Sequence, residues 1–563
     1  MAESLLLPVV EGLAGKAADV LIQTVTRMCG LDDDRETLER HLRAVRCKLA
    51  NAEERSQTNG GDYIKSWMEK LKAVAYEADD VLDDFQYEGL RREARIGKST
   101  SRKVLGYVKY HSPLLFRFAM SRKLKGVLDK IRELVEEMNM FGLENSVHRQ
   151  EPQLPWRQTH SKLDESTDIF GRDDDKERVV KLLLEQQHQQ KVQVLPIFGM
   201  GGLGKTTLAK MVYNDQKVQQ HFQLKMWHCV SDNFDELLQK KLDEVIGQKR
   251  FFLVLDDVWN EEKKLWEDEL KPLLCCAGGP GSVIVVTCRS KQVASIMSTV
   301  KPHELAFLSE EDSWKLFSNN AFSNGVEEQT ELVTIGRRIV NKCGGLPLAL
   351  KTLGGLLSSK QQVHEWRAIE ESNIGDNDVK PILMLSYKHL SYEMKQCFAF
   401  CALFPKDYEM QKDMLMQLWM ANGFIQEEGT LDLTQKAEFI FHELLCRSFL
   451  QEMKVKCGIY YGGREYETIH CKMHDLMHDL ARDITNECVT IEELMEHKAL
   501  VKNARHLQLS KVKLEKKCEV FDEKTSLRTL LDTSRTHKDS KWLPHVSLRA
   551  LQSVCSSFTF TVS

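Results

Sequence analysis

The sequence predicts a multidomain chain of α and α/β units, and three observations predict it. Residues 1 to about 145 carry apolar stripes at helical spacing. Between about 166 and 307, apolar runs alternate with helical patterns, and a glycine turn, Gly199 to Gly204, joins one run to a helix. After a mainly helical stretch to about 490, short leucine segments recur roughly twenty residues apart. The expected architecture is an N-terminal four-helix bundle, a parallel-sheet domain, a helical region and a short start of leucine-rich repeats.

The bundle rests on four stripes. Val10, Leu13, Ala17 and Leu21 form the first, and Leu38, Leu42, Val45 and Leu49 the second. Ile64, Trp67, Leu71, Val74, Ala78 and Val81 form the third, and Leu124, Val127, Leu128, Ile131, Leu134 and Val135 the fourth. Amphipathic helices of this length bury such stripes only against one another or a partner. The heptads are too short and irregular for a long dimeric rod. Between the third and fourth stripes, Arg91 to Lys125 holds eleven Lys/Arg and one acidic residue, Glu93, around Leu114, Leu115, Phe116 and Phe118. It reads as a solvated loop with a short buried anchor, the other reading being contact with anionic lipid or nucleic acid. Residues 146–165, with Pro152 and Pro155, read as a linker.

In the α/β region the strand candidates are Val194–Phe198, Lys225–Val230, Phe251–Leu255 and Ser282–Thr287. Helical runs between them imply parallel strands with right-handed crossovers. Gly199-Met200-Gly201-Gly202-Leu203-Gly204-Lys205-Thr206-Thr207 follows the first candidate and opens a helix. A strand feeding a glycine turn lets backbone N–H groups converge on phosphate oxygens, with a helix N-terminus behind them. Lys205 would bridge the β/γ-phosphates and the Thr206 hydroxyl would ligate Mg²⁺. Asp256 ends a second apolar strand about fifty residues on, where a carboxylate can hold the same ion. Both elements in this order predict nucleotide binding.

The bulk numbers exclude some classes. A chain of 563 residues is too long for one core, and a composition 42% hydrophobic and 29% charged fits a globular protein. With 78 basic and 83 acidic residues, a net charge of −5 implies no general attraction to nucleic acid. The N-terminus lacks a basic signal-peptide head, and no run approaches eighteen uninterrupted apolar residues. Fifteen cysteines are scattered without a disulfide framework, which points to reduced thiols in the cytosol.

Taken in order, the motifs resemble the plant disease-resistance proteins that join a coiled-coil domain, an NB-ARC nucleotide switch and leucine-rich repeats. Asp79-Asp80-Val81-Leu82-Asp83 is similar to the acidic motif of their N-terminal bundle. Phe170-Gly171-Arg172, the phosphate loop and Leu253–Trp259 follow. Thr287-Cys288-Arg289 stands where that family often has Thr-Thr-Arg. Gly345-Leu346-Pro347-Leu348, the run Cys397 to Asp407 and Met473-His474-Asp475 complete the set. The resemblance implies an Rx-type bundle over 1–145, a P-loop nucleotide-binding domain over 166–307, a helical ARC1 domain over 308–375, a winged-helix ARC2 domain over 376–490 and an incomplete repeat region over 500–563.

It also implies an intracellular immune receptor switched between ADP and ATP, at most a slow regulatory ATPase. Phe170, Gly171, Arg172, Gly199, Gly201, Gly202, Gly204, Lys205, Thr206, Thr207, Arg289, Pro347 and His474 would hold the nucleotide. Within that set Arg289 would sense the γ-phosphate, Pro347 would pack on adenine and His474 would reach the β-phosphate of ADP. Thr206 and Asp256 would hold Mg²⁺, and Asp257 would be the base or water-orienting carboxylate. Expected partners are further copies of the chain, through the nucleotide-binding and helical domains, and host or pathogen proteins, with no specific nucleic acid. The expected location is cytoplasmic, with plasma-membrane association on activation. The rival reading is a non-switching decoy or helper acting through the bundle alone.

Other features have plainer readings. His474 and His478 fall one helical turn apart near Cys471, but a metal site needs a third ligand and an open position, which nothing nearby supplies. Asp79, Asp80, Asp83 and Asp84 read as a docking surface for basic residues of the repeat region, a solvated face being the alternative. Cys397 and Cys401 read as buried thiols, and Trp227 and Trp259 as packing residues. Two departures from the family stand out. Only about twenty residues separate Val230 from Phe251, still enough for one crossover helix, since such a crossover needs at least about 10–12. And 88 residues follow Asp475, where the family continues through many repeats, so a shortened product is expected.

Overall fold

The computed structural model describes residues 62–96, 113–140, 169–184, 192–229, 249–258, 279–322, 329–372, 379–426, 432–457, 466–491, 504–509, 527–532 and 550–553, with 560–561 and a few single positions. The first apolar stripe, the linker, residues 231–248 and Trp259 lie outside the described residues.

Helices α1 (Asp62–Ile96) and α2 (Pro113–Met140) form most of the described part of the N-terminal unit. Trp67, Leu71, Ala78 and Leu82 of α1 bury against Leu124, Val127, Ile131 and Leu134 of α2. The Trp67 indole N–H donates to the Leu134 carbonyl at 2.9 Å, satisfying the one polar atom of a fully covered ring. Val45, from the second stripe, joins the same core. The basic stretch is less of a loop than expected. Helix α1 runs on through Ile96, because Arg91, Arg92, Glu93, Ala94 and Arg95 are good helix formers. Helix α2 opens at Pro113, whose missing N–H costs nothing in a first turn.

Next come α3 (Asp173–Leu184), β1 (Val192–Phe198), α4 (Lys205–Tyr213), β2 (Leu224–Cys229), β3 (Phe251–Val258), β4 (Ser282–Cys288), α5 (Lys291–Met297) and β5 (His303–Glu304). The strands form one parallel sheet in the order β2-β3-β4-β1-β5. Strands buried on both faces read as continuous apolar runs, and β1, β3 and β4 do so. Alternate side chains feed two cores. Leu195, Ile197, Phe252, Val254, Val283 and Val285 face one, while Val194, Leu253, Leu255, Ile284 and Val286 face the other. Strand β2 pairs directly with β3, Leu224 opposite Phe251, so the short crossover joins sheet neighbours.

The first core continues into α6 (Glu310–Ala321), α7 (Thr330–Lys342), α8 (Pro347–Leu357) and α9 (Val363–Glu371). Beyond them lie α10 (Val379–Lys388), α11 (Tyr392–Phe400), β6 (Met410–Gln411), α12 (Lys412–Ala421), α13 (Leu433–Cys446), β7 (Gln451–Cys457), β8 (Tyr466–Lys472) and α14 (Asp475–Ile484). Strands β6, β8 and β7 make an antiparallel sheet beside these helices. Cys397 and Cys401 are fully buried within this part.

The leucine segments become strands. Following β9 (Cys488–Thr490), β10 (His506–Leu509), β11 (Thr529–Asp532) and β12 (Ala550–Ser553) form a parallel ladder. Leu507, Leu509, Leu530 and Leu531 are buried in it. Strand β13 (Phe560–Thr561) pairs antiparallel with β12. Among the described residues, no helix is long and apolar enough to cross a membrane.

Candidate functional site

The C-terminal ends of parallel strands are where an α/β sheet opens a crevice, and here three of them converge. Strand β1 ends in the loop Gly199–Gly204, β3 ends with Asp256 and Asp257, and β4 ends before Arg289. Gly204 caps α4 in the left-handed region at φ 91°. Gly202 has φ 80°, and a Cβ there would stand 2.9 Å from Leu348 Cβ. Only a residue without a side chain meets both demands. The Leu348 N–H also donates to the Gly202 carbonyl at 3.3 Å, so the start of α8 braces the loop. On another side, Leu476 of α14 lies 3.1 Å from where a Cβ on Gly201 would be.

Lys205 is buried, and its ammonium donates to the Met200 carbonyl at 3.0 Å. Burial, followed by the charge of Arg289, lowers its pKa. The Thr206 hydroxyl donates to Asp256 Oδ1 at 3.0 Å, and the Thr287 hydroxyl donates to the same oxygen at 2.5 Å. Burial raises the Asp256 pKa, and these two hydroxyls oppose the shift. Asp257 follows with φ 54°, an uncommon value for a side-chain-bearing residue. Its N–H donates to Thr287 Oγ1 at 2.8 Å, and the β3–β4 register shifts at this point.

Arg289 completes the crevice from β4. Its Nη2 lies 2.6 Å from Asp475 Oδ2 and 3.6 Å from Asp257 Oδ2. His474 is the extended N-cap of α14, and its Nδ1 accepts from the Leu476 N–H at 3.2 Å. An accepting Nδ1 puts the proton of the neutral ring on Nε2. Burial, then the Arg289 and Lys205 cations, push its pKa down to about 4.

Lys205, Thr206, Asp256, Asp257, Arg289 and His474 therefore lie close together. Thr207 follows in the first turn of α4, and Pro347 is the first residue of α8. Phe170 packs at the edge of the core, and Gly171 has φ 66° with Asp312 close beside it. Arg172 is turned into the protein, with bonds to Asp175, the Ala306 carbonyl and the Leu203 carbonyl. Thr287, Asp475, Leu348 and Leu476 were not singled out as site residues. Thr287 had a readable signal, since it ends the apolar run Ser282–Thr287 two positions before Arg289. The imidazole of His478 points elsewhere, with Nε2 at 2.8 Å from the Phe404 carbonyl. No metal-binding cluster forms among the described residues.

A second charged cluster joins α1 to the ladder. Arg528 Nη2 lies 2.5 Å from Asp79 and 3.0 Å from Asp80, and Arg505 Nη1 lies 3.0 Å from Asp80. Both guanidinium groups also stand over the Tyr76 ring, at 4.2 Å for Arg505 and 5.4 Å for Arg528. The Tyr76 hydroxyl and the Lys72 ammonium each approach Glu487 Oε1 to 2.5 Å. Those contacts hold the Glu487 pKa down to about 2 against the burial that would raise it. The acidic residues of α1 thus face basic residues of the leucine segments, as the docking reading expected.

Three domain families match the chain in order. The Rx N-terminal domain matches residues 9–112, the NB-ARC domain matches 172–238 and 232–327, and the disease resistance protein winged helix domain matches 403–481. The disease resistance protein RGA2 of Solanum bulbocastanum is 38% identical over 498 residues, covering 83% of this chain and 49% of the relative. The putative disease resistance RPP13-like protein 1 of Arabidopsis thaliana is 36% identical over 460 residues, covering 75% and 43%. The chain spans about half the length of these relatives. A solved signal-transduction ATPase with numerous domains (STAND) from Pyrococcus horikoshii aligns at 15% identity and a TM-score of 0.33, over 58% of this chain and 44% of that one. With the bundle, nucleotide-binding and winged-helix matches falling in one order along one chain, it belongs to the plant disease-resistance proteins that carry an Rx-type N-terminal domain and an NB-ARC domain.

Proposed function

We propose that this chain is the nucleotide-switched portion of a plant defence receptor, resting with ADP and activated with ATP. The observation that carries the reading is the convergence of Lys205, Arg289 and His474, from three separate elements, on one glycine loop. The site fits the group it would hold. The loop at Gly202 has no room for a Cβ, and the hydroxyl–carboxylate pair Thr206–Asp256 has the donor chemistry Mg²⁺ prefers.

When bound, the nucleotide supplies phosphate charge, one anionic group more in the triphosphate than in the diphosphate. Glycines 199, 201, 202 and 204, Lys205 and Thr207 would hold the phosphates, and Thr206 with Asp256 the ion. Phe170, Gly171 and Pro347 would border the base. Asp257, fixed through its N–H to Thr287, would orient water for a slow hydrolysis. His474 would donate from Nε2, joining the winged-helix part to the site. Arg289, now paired with Asp475, is the cation that would answer a terminal phosphate. The bundle over 1–145, the helical and winged-helix domains over 308–375 and 376–490, and the ladder as a leucine-rich-repeat start complete this reading. Further copies of the chain and host or pathogen proteins would be its partners, in the cytoplasm and at the plasma membrane once active.

The test is the nucleotide carried by purified protein, identified by mass, with Lys205→Ala alongside. ADP in the parent and a near-empty variant support the reading. Equal occupancy in the two overturns it.

A further inference from the structure

Arg172 lies under the phosphate loop, and its contacts differ from those of a nucleotide ligand. The side chain is 4% exposed. Its Nη2 donates to the Leu203 carbonyl at 2.9 Å, and its Nη1 donates to the Ala306 carbonyl at 2.9 Å and to Asp175 Oδ2 at 3.1 Å. One planar fork thus joins the start of α3, the chain just after β5 and the loop. Asp175 is itself buried and takes His303 Nε2 at 3.1 Å, which keeps the carboxylate in place beneath the guanidinium.

Leu203 sits between the two glycines that shape the loop. A trans peptide is planar, with its C=O and the following N–H pointing in opposite directions. Fixing the Leu203 carbonyl on Arg172 therefore fixes the Gly204 N–H on the far side of the same plane. In a phosphate loop that N–H is one of the donors a phosphate requires. The neighbouring plane is handled likewise, since Gly202 gives its carbonyl to the Leu348 N–H. The outer carbonyls of the loop are thus held by groups that do not belong to it.

We infer that Arg172 is a positioning residue that sets the Leu203–Gly204 peptide for phosphate binding and does not touch the nucleotide. The inference rests on the nucleotide reading above and replaces the expectation that this guanidinium contacts the ligand directly. A lysine keeps the charge but not the fork, so it cannot serve both carbonyls and Asp175 at once.

The test compares a ligand with phosphates to one without. ADP affinity is measured by titration calorimetry, and adenosine binding by equilibrium dialysis, on the parent chain, Arg172→Lys, Arg172→Ala and Lys205→Ala. Arg172→Lys retains an ion pair with Asp175 and so guards against simple misfolding of the alanine variant. The expected result is a roughly tenfold or greater loss of ADP affinity in both Arg172 variants, the order lost with one charge-assisted bond, and adenosine binding within about twofold of the parent. Amide exchange of residues 199–207 should rise in the same variants. Equal losses for ADP and adenosine would mean that Arg172 shapes or touches the nucleoside site, and would overturn the inference. Unchanged ADP affinity with a lowered Tm would leave only a structural strut, and would overturn it too. A parent chain that binds ADP no better than Lys205→Ala would instead remove the nucleotide reading itself.

Discussion

Arg289 and Asp475 form an ion pair at 2.6 Å that links the parallel sheet to the first turn of the winged-helix helix α14. Their side chains are 20% and 12% exposed, so water screens the pair only in part. The pair lies one residue from His474, so the same junction carries a cation from one domain and a carboxylate and an imidazole from the other.

Replacing Asp475 by Val should loosen this junction. Removing one partner of a buried pair typically costs about 3–5 kcal/mol. Asp257 remains 3.6 Å from Arg289, so a smaller loss, about 2 kcal/mol, is expected here. A double-mutant cycle with Arg289→Ala, read by thermal unfolding, measures the coupling. Small-angle scattering should show a larger radius for Asp475→Val, and under the proposed function expression in leaf tissue should give cell death without a pathogen. A coupling near zero would show that the pair does not hold β4 and α14 together.

The contact between α1 and the ladder makes a separate prediction. Arg528 is almost wholly buried, and the carboxylates of Asp79 and Asp80 hold its pKa above the usual range in spite of that burial. Asp79→Ala combined with Asp80→Ala leaves two guanidinium groups facing one another over Tyr76 with less counter-charge. The expected outcome is release of α1, seen as faster amide exchange across residues 62–84 and earlier proteolysis between α2 and α3. Exposed pairs such as Lys130–Glu77 contribute little, and Glu77→Ala should leave both readouts near those of the parent. Equal effects from the two sets of substitutions would contradict the special place given to Asp79 and Asp80.

Much of this was legible along the chain, and the illegible part has a common cause. The strands β1, β3 and β4 declare themselves because burial on both faces leaves no room for polar alternation. The loop and Asp256 declare themselves because a phosphate and Mg²⁺ site of the kind proposed would restrict which residue types can serve. The partner of Arg289 did not, since it lies 186 residues away on another domain. The roles of Leu348 and Leu476 against the loop depend on how α8 and α14 seat on the sheet, which no local pattern encodes. The bonds of Arg172 to the Leu203 and Ala306 carbonyls were not legible, because sequence does not distinguish one backbone carbonyl from another. The extent of α1 and α2 was underestimated where a run of like charges masked good helix formers.

His474 sets a pH dependence whose sign follows from its lowered pKa. The folded value is about 4, against an ordinary value of 6.5. The unfolded chain therefore binds more protons between these values. The contribution to stability is complete above pH 6.5 and is lost as the pH falls towards 4. The full linkage is at most about 3 kcal/mol. Because His389 is also pushed down to about 4, the measurement must be a difference. On chemical unfolding, the nucleotide-free parent should lose stability relative to His474→Gln as the pH drops from 7 to 4. Parallel curves would show that His474 titrates alike in the folded and unfolded chain.

Helix α8 offers a steric test of how it seats against α13. A Cβ on Gly355 would stand 2.2 Å from the Cys446 carbonyl oxygen and 2.8 Å from Arg447 Cα, both backbone atoms at the end of α13. Neither can yield by turning a side chain, so Gly355→Ala must push α8 and α13 apart. Overpacking of this kind typically costs about 1–3 kcal/mol. Within an isolated helix the same change would favour folding by about 0.5–1 kcal/mol. The two effects have opposite signs, so the observed direction decides which dominates. A lower Tm together with faster proteolysis between α8 and α13 is expected. A higher Tm would show that the helices are not held against each other as closely as the Gly355–Cys446 approach requires.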